Sequence, residues 1–445
     1  MQGRAFGRST TISDDRLALA LAPALTRDGL QGDPSFFHGF ATRPDVVAHG
    51  LVALADVTAT RYFNYVPSDQ RDPVLTAHGD RLRAECFSAC NAVYARLDIL
   101  GAGLDGGEIG FGTTNVDITT DTRRALAAVS RNELMHLDVG VDGLRVATLA
   151  RQSAERPVQM PQRWVRALGN AAELHRGLRP VFTLGREASR AFLASLPNAT
   201  TRGRYDGWLT PTRTGAKLER RPMKGTVRVA GLHRLAAARR MMTHVVGLTA
   251  YTAESDTPDE PGISLFELEL PGARLSLGLT GVTWRAFSGE GSLLGSLAGA
   301  QATADATALG NRLGFEPVLD PGALGRRWRL SVERVESALL VLAASGRVGW
   351  DPHESAWFHR QLPHDQQQVE RDNPRILAAR ELVRNGSVET SADGVLRVHS
   401  GSATYRVRLD TERGDRCSCR WFIRYDGGRG PCKHVLAARL TTERN

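Results

Sequence analysis

Three of the five cysteines and one histidine crowd into eighteen positions near the end of the 445-residue chain: Cys417, Cys419, Cys432 and His434. Thiolate sulfur and neutral imidazole nitrogen are donors that zinc prefers, and Cys3His is a standard tetrahedral set for a structural site. Two donors on each side of a twelve-residue loop, Arg420 to Pro431, can close such a site. Four protein ligands leave no position for an activated water, so the expected role of the metal is structural and not hydrolytic. The competing reading, buried thiols beside a helical histidine, requires the order of four ligands and the glycines between them to be accidental.

The flanking residues are suited to positioning those donors. Val395, Arg397 and His399 alternate with Leu396 and Val398, and Tyr405, Val407 and Leu409 alternate with Arg406 and Arg408, which predicts two short strands joined at Ser400-Gly401-Ser402. A Gly-Asp turn precedes Cys417 and Cys419, so one hairpin end presents both thiolates. Gly427, Gly428 and Gly430 let the loop fold back, and Val435, Leu436 and Leu440 give a terminal helix its apolar face, with His434 in the first turn.

The pattern C-x-C followed by C-x-H, with the ending C-K-H-V-L-A, resembles the SWIM zinc finger. The resemblance covers about the last 55 residues and implies a ββα module with one structural Zn2+, of a kind associated with DNA binding or protein–protein contact. More loosely, the whole chain resembles bacterial SWIM zinc finger family proteins through G-T-T-N-V-D (Gly112 to Asp117), F-S-G-E-G (Phe287 to Gly291) and F-H-R-Q-L-P (Phe358 to Pro363). That resemblance implies a multiprotein assembly with an AAA-type ATPase and a von Willebrand A-like protein.

Charge gathers around the predicted finger. From Gly401 to Asn445 there are ten basic residues against five acidic ones, more than half of the +9 carried by the whole chain. Three thiolates and Zn2+ lower the finger's net charge by only one. Arg420, Trp421, Arg424, Tyr425, Arg429 and Lys433 are the candidate contacts to nucleic acid or a partner, since arginines interleaved with aromatic rings offer stacking surfaces to bases. The alternative is that the rings form the finger's small core and the arginines are solvated.

Upstream, the chain reads as α+β and multidomain: an N-terminal α+β domain (1–155), a helical bridge (156–205), a second α+β domain (206–300), a winged-helix-like module (301–365), a linker helix (366–386) and the finger (387–445). A helix is expected over Val46 to Val57, and strands over Asp72 to Leu100, turning at His78-Gly79-Asp80. Hairpins are expected at Asp142-Gly143 and Pro271-Gly272, and a helix capped by Asp121 over Arg123 to Val129. Helical signal over Pro161 to Leu196 is interrupted at Pro180, and Leu232 to Val246 also reads as helix. A helix near Ala323 to Trp328, a second capped by Ser331, and strands on either side of Asp351-Pro352 follow the order of a winged helix. Such a module docks its second helix on DNA or serves as a protein contact, and Glu333 and Glu336 suit that helix poorly to phosphates. Asn373, Pro374 and Asn385-Gly386 bracket the linker helix.

The composition, 42% hydrophobic and 24% charged, excludes collagen-like, disulfide-scaffold and wholly disordered chains. Only three of the 57 basic residues are lysine, a bias that makes total arginine content poor evidence for nucleic-acid binding. The apolar run Leu17 to Leu25 is too short to span a bilayer and lacks the flanks of a secretory leader, so a cytoplasmic protein without membrane contact is expected. No phosphate loop or nucleophile elbow is present, and Gly289, Gly291 and Gly295 read as turn glycines, so no enzyme is expected. The competing class is an enzyme with an unrecognised active site in the N-terminal α+β region. Cys86 and Cys90 read as structural thiols, and His353, His359 and His364 as surface or core histidines.

Overall fold

The computed structural model describes residues 11–13, 16–18, 24–26, 29–31, 35–63, 66–67, 72–105, 108–140, 142–158, 160–201, 205–253, 262–282, 286–287, 300–360, 362, 374–391, 394–410, 414–425 and 430–442. Helices and several sheets share the chain. The largest sheet has eight antiparallel strands in the spatial order Phe111–Asn115, Val74–His78, Arg81–Phe87, Val93–Leu100, Ala273–Leu279, Ser264–Leu270, Gly247–Ala253 and Leu178–Gly185. Strands from both ends of a two-hundred-residue stretch therefore meet at its centre, where Val93 to Ile99 pair in unbroken register with Leu279 to Ala273. A five-stranded sheet of Leu104–Asp105, Ser35–Ala41, Met135–Gly140, Gly143–Thr148 and Gln152–Glu155 stands beside it.

The strand Val93–Leu100 shows what each face of the large sheet does. Val93, Ala95, Leu97 and Ile99 are buried under the helix Pro44–Thr58, which begins with proline at its first position and is apolar nearly all round. Its Gly50 permits the close approach: a Cβ there would lie 2.8 Å from Leu97 Cδ1, and the leucine side chain would have to shift. Alternation in a strand predicts a wet polar side, but Tyr94, Arg96 and Asp98 are buried as well. The hairpin Val348–Asp351 and Ala356–His359 covers them. Asp351 accepts from Arg83 Nη2 at 2.8 Å and Arg96 Nη2 at 2.7 Å, and Asp98 pairs with the same two arginines at 2.5 and 2.9 Å. Burial alone would raise both carboxyls, but the arginines overcome it and hold them below the usual carboxylate range. Arg274 bonds Glu354 at 3.1 Å, Arg360 faces Glu85 at 3.2 Å, and His353 meets Glu267 at 2.7 Å. His359 is buried and accepts the Phe315 amide, while His364 lies outside the described residues.

Several predicted elements need correction. Thr119, not Asp121, caps the helix Thr120–Ala127, because its hydroxyl accepts from the Thr122 amide while Asp121 sits inside the first turn. The Asp142-Gly143 turn falls one residue early, since Gly143 already pairs with Gly140. Pro180 does not merely break helix: Leu178–Gly185 is a strand at the edge of the large sheet, a position where proline's missing N–H is tolerated. The expected helix after Leu232 is a 3₁₀ helix, Leu232–Met241. Gly289, Gly291 and Gly295 lie outside the described residues.

The helices Ala300–Gly310, Pro321–Trp328 and Val332–Ala344 precede the hairpin. Ser331 caps the last of them by accepting from the Arg334 amide. Of Val332, Val335, Leu339 and Leu342, expected on one apolar face, the last three are buried, while Val332 at the start of the helix is exposed. Two of its three charged residues are engaged: Arg334 pairs with Asp305 at 2.7 Å and Glu336 with Arg176 at 2.7 Å. Gly169 of the helix Gln162–Arg176 touches it so closely that a Cβ would fall 2.4 Å from the Ala343 carbonyl oxygen. The helix Pro374–Arg384 then leads to the C-terminal sheet, ending where Gly386 adopts φ +66°.

Candidate metal centre

The C-terminal sheet has four antiparallel strands, Val388–Thr390, Leu396–Ser400, Ala403–Arg408 and Arg416–Cys417. Gly401, at φ +64°, makes the tight turn between the second and third. Leu396, Val398 and Val407 point inward and join a core with Ile376, Ala379, Phe422, Val435 and Leu436. The helix Lys433–Thr442 crosses this inner face and packs on Pro374–Arg384, which fixes His434 beside the strand that carries Cys417. A short helix, Arg420–Tyr425, follows Cys419.

These elements bring Cys417, Cys419, Cys432 and His434 together, all buried, with their ligand atoms within 4.8 Å of one another. His434 Nδ1 lies 3.9 Å from both Cys417 Sγ and Cys432 Sγ. A tetrahedron with ordinary Zn–S and Zn–N bonds has edges of about 3.5–3.8 Å, so the donors sit close to those corners. The amide of Phe422 donates to Cys419 Sγ at 3.3 Å and that of Val435 to Cys432 Sγ at 3.5 Å, bonds that favour thiolate sulfur. The Cys417 thiol, by hydrogen bonding to it, does most to pull Cys432 down to about 4, and Cys417 as donor is pushed well above the usual thiol range. Burial raises Cys419. Tyr405 stacks on the His434 ring at 4.2 Å and holds its plane. His434 Nε2 is buried and has no hydrogen-bond partner among the described residues, which leaves Nδ1 as the nitrogen aimed at the sulfurs. The donor set fits one structural Zn2+, with four protein ligands and a buried shell.

The other predicted contacts divide by exposure. Arg420 and Arg424 are exposed, with Arg424 over the Tyr425 ring at 5.4 Å. Trp421 and Tyr425 are half-buried and meet edge to face at 5.2 Å, and Arg375 of the linker helix covers Trp421 at 4.7 Å. Phe422 is core, and Lys433 is half-buried. Arg429 lies outside the described residues. Cys86 is fully buried with its thiol toward the Leu54 carbonyl, and Cys90 is half-buried, so neither joins a metal set among the described residues. One group escaped sequence reasoning. Arg397, Arg406, Arg408 and Arg416 are exposed on the outer face of the sheet, a grouping set by strand register.

Comparison with known proteins agrees with this geometry. Residues 405–441 match the SWIM zinc finger family. No curated protein matches the chain. Among solved structures, the chain is similar to the proliferating cellular nuclear antigen of Entamoeba histolytica, with a TM-score of 0.36 at 11% identity over 56% of this chain and 99% of that one. It is likewise similar to the PCNA2–PCNA3 complex of Sulfolobus tokodaii, with a TM-score of 0.38 at 10% identity over 55% and 98%. No helix among the described residues is long and apolar enough to cross a membrane.

Proposed function

We propose that the chain is a zinc-dependent binding component, an adaptor that contacts nucleic acid or a protein partner through its C-terminal finger and performs no catalysis at the metal. One observation carries the reading: four buried protein donors close the metal site while arginines stand exposed around it. In this reading residues 387–445 fold as one SWIM module of the ββα kind, extended by the strand Val388–Thr390 and the short helix Arg420–Tyr425. Arg420, Arg424 and Lys433 remain candidate contacts, with Trp421 and Tyr425 as supporting rings.

The helices and hairpin between residues 300 and 359 follow the winged-helix order, and we read them as such a module. Its hairpin is spent on the large sheet and its third helix on Gln162–Arg176, which favours a structural joint over a groove reader. A cytoplasmic setting suits the free thiols, and an assembly with an AAA-type ATPase or a von Willebrand A-like protein rests on family resemblance alone.

Affinity capture from lysate with full-length protein and with Cys419→Ser, each assayed for zinc and for duplex DNA binding, tests the proposal. The expected result is a partner or DNA retained by the intact protein and lost by the variant. Equal retention by both would refute a zinc-dependent contact.

A further inference from the structure

A strongly basic stretch lies in the middle of the sequence, outside the finger. Gly207 to Val229 carry six basic residues and one acidic one, a net charge of +5 in 23 residues, where the finger needs 45 for the same excess. Two of the chain's three lysines, Lys217 and Lys224, fall inside it, so a bias toward arginine does not account for it. The strands Gly207–Thr212, Gly215–Glu219 and Val227–Val229 form a three-stranded antiparallel sheet with the first of them in the centre. Leu209, Val227 and Val229 are buried in the main core with Phe192 of the helix Arg186–Ser195, which packs against the second strand. Alternation then puts Trp208 and Thr210 on the opposite face. Directly paired residues share a face, so Trp208 stands between Arg228 and Glu219, and Thr210 beside Lys217. Arg228 lies over the half-buried indole ring at 4.7 Å. Arg213 at the hairpin turn and Arg220, Arg221 and Lys224 in the following loop are exposed. The one acid, Glu219, is taken by Lys217 at 2.9 Å, and among the described residues those other four cations form no ion pair.

We propose that this sheet takes a single-stranded nucleic acid, with phosphates on Arg213, Lys217, Arg220, Arg221 and Lys224 and a base on the layer formed by Arg228 and Trp208. The inference goes beyond the finger reading and does not rest on it, because the surface contains no zinc ligand and no residue of the finger. Cations gathered on one surface with a single acid among them attract a polyanion. An acidic peptide would meet the cations and leave the ring between them idle. A duplex hides the faces of its bases. A single strand offers both a row of phosphates and open π-faces, and a guanidinium layered on an indole is a flat platform for such a face.

The test uses full-length protein and a fluorescent single strand of about 20 thymidine nucleotides, with affinity measured from about 50 to 200 mM salt. Arg213→Gln/Arg220→Gln/Arg221→Gln/Lys224→Gln is expected to reduce the slope of log affinity against log salt by about 3, since each phosphate contact on a single strand contributes about 0.7. Arg213→Lys/Arg220→Lys/Arg221→Lys keeps the parent slope. The substituted residues are exposed, so both variants are expected to melt as the parent does. Trp208→Leu weakens binding by about fivefold or more with the slope unchanged, and Trp208→Phe restores most of it. The same loss of slope is expected when the four glutamines are placed in Cys419→Ser, whose finger no longer holds zinc. An unchanged slope in the glutamine variant overturns the inference, as does tighter binding of a duplex of equal length or no binding by the parent. If Cys419→Ser loses all binding while the glutamine variant keeps its slope, the contact belongs to the finger and this inference falls. If zinc-dependent capture fails while the strand still binds through these cations, the adaptor reading falls and this inference stands.

Discussion

The junction between the large sheet and the hairpin Val348–Asp351/Ala356–His359, and the finger at the C-terminus, both bury charged chemistry, and they neutralise it differently. At the junction Arg83, Arg96, Asp98 and Asp351 are wholly enclosed and pair with one another. In the finger three sulfurs and an imidazole converge with no cation of the protein's own among them, and zinc supplies it. The junction is self-sufficient, so its integrity depends on keeping each partner. The finger is conditional on an ion from solution, so its folding is expected to follow metal supply.

The largest expected effect separates the two regions. Removing zinc with a chelator, or making Cys419→Ser, withdraws binding free energy on the order of 10 kcal/mol from the finger. Limited proteolysis is expected to cut after about residue 387 in the treated protein and to leave the sheet and hairpin intact. Simultaneous loss of both regions would erase the distinction.

Asp351→Asn comes next. It leaves Asp98 as the one carboxylate between the Arg83 and Arg96 guanidinium groups, so buried positive charge is no longer balanced, at a cost of about 3–5 kcal/mol. Denaturant unfolding should show the loss in the body of the protein, with zinc content unchanged. A neutral result would mean that apolar packing around Trp357 and Phe358, and not the ion cluster, holds the hairpin.

Acid sharpens the contrast. Asp98 and Asp351 have depressed native values, so their contribution is complete above the unfolded carboxyl value of about 3.9 and is lost as pH falls through the lower native ones. The ligands of the finger must be deprotonated to hold zinc, so the metal leaves at milder acidity. Following bound zinc and near-ultraviolet circular dichroism together should reveal zinc release first and the sheet transition below about pH 4. His353, raised by its bond to Glu267, adds a small opposite term, present below about pH 6.5 and lost as pH rises above it.

The smallest effect is expected at Arg439→Ala, which removes the partly exposed pair with Asp415. A stability change of no more than about 1 kcal/mol is expected, measured as a shift in the finger's own melting step. A larger loss would show that this pair, and not the metal alone, secures the terminal helix.

The same contrast explains what the sequence disclosed. The zinc donors lie within eighteen residues, between alternating strands and a helical stretch, so local spacing exposes them. Strands and turns such as Val74–His78, Gly79 and Arg81–Phe87 were likewise legible, because alternation and glycine act locally. Asp351 reaches Arg83 across 268 positions, and no periodicity announces such a partner. For that reason alternation alone gives no sign that the polar side of Val93–Leu100 is core. The opposed arginines of the finger were visible as charge but not as a face, since register, unlike alternation, is settled only when strands pair.

The central claim is that one ion, held by Cys417, Cys419, Cys432 and His434, organises the finger. Elemental analysis of the full-length protein, beside spectra of its cobalt-substituted form, tests this most directly. The account predicts one zinc per chain, a tetrahedral three-sulfur, one-nitrogen cobalt spectrum, and loss of both in Cys419→Ser. Purified protein that carries no metal, or a Cys419→Ser variant that keeps its full zinc content, would contradict it.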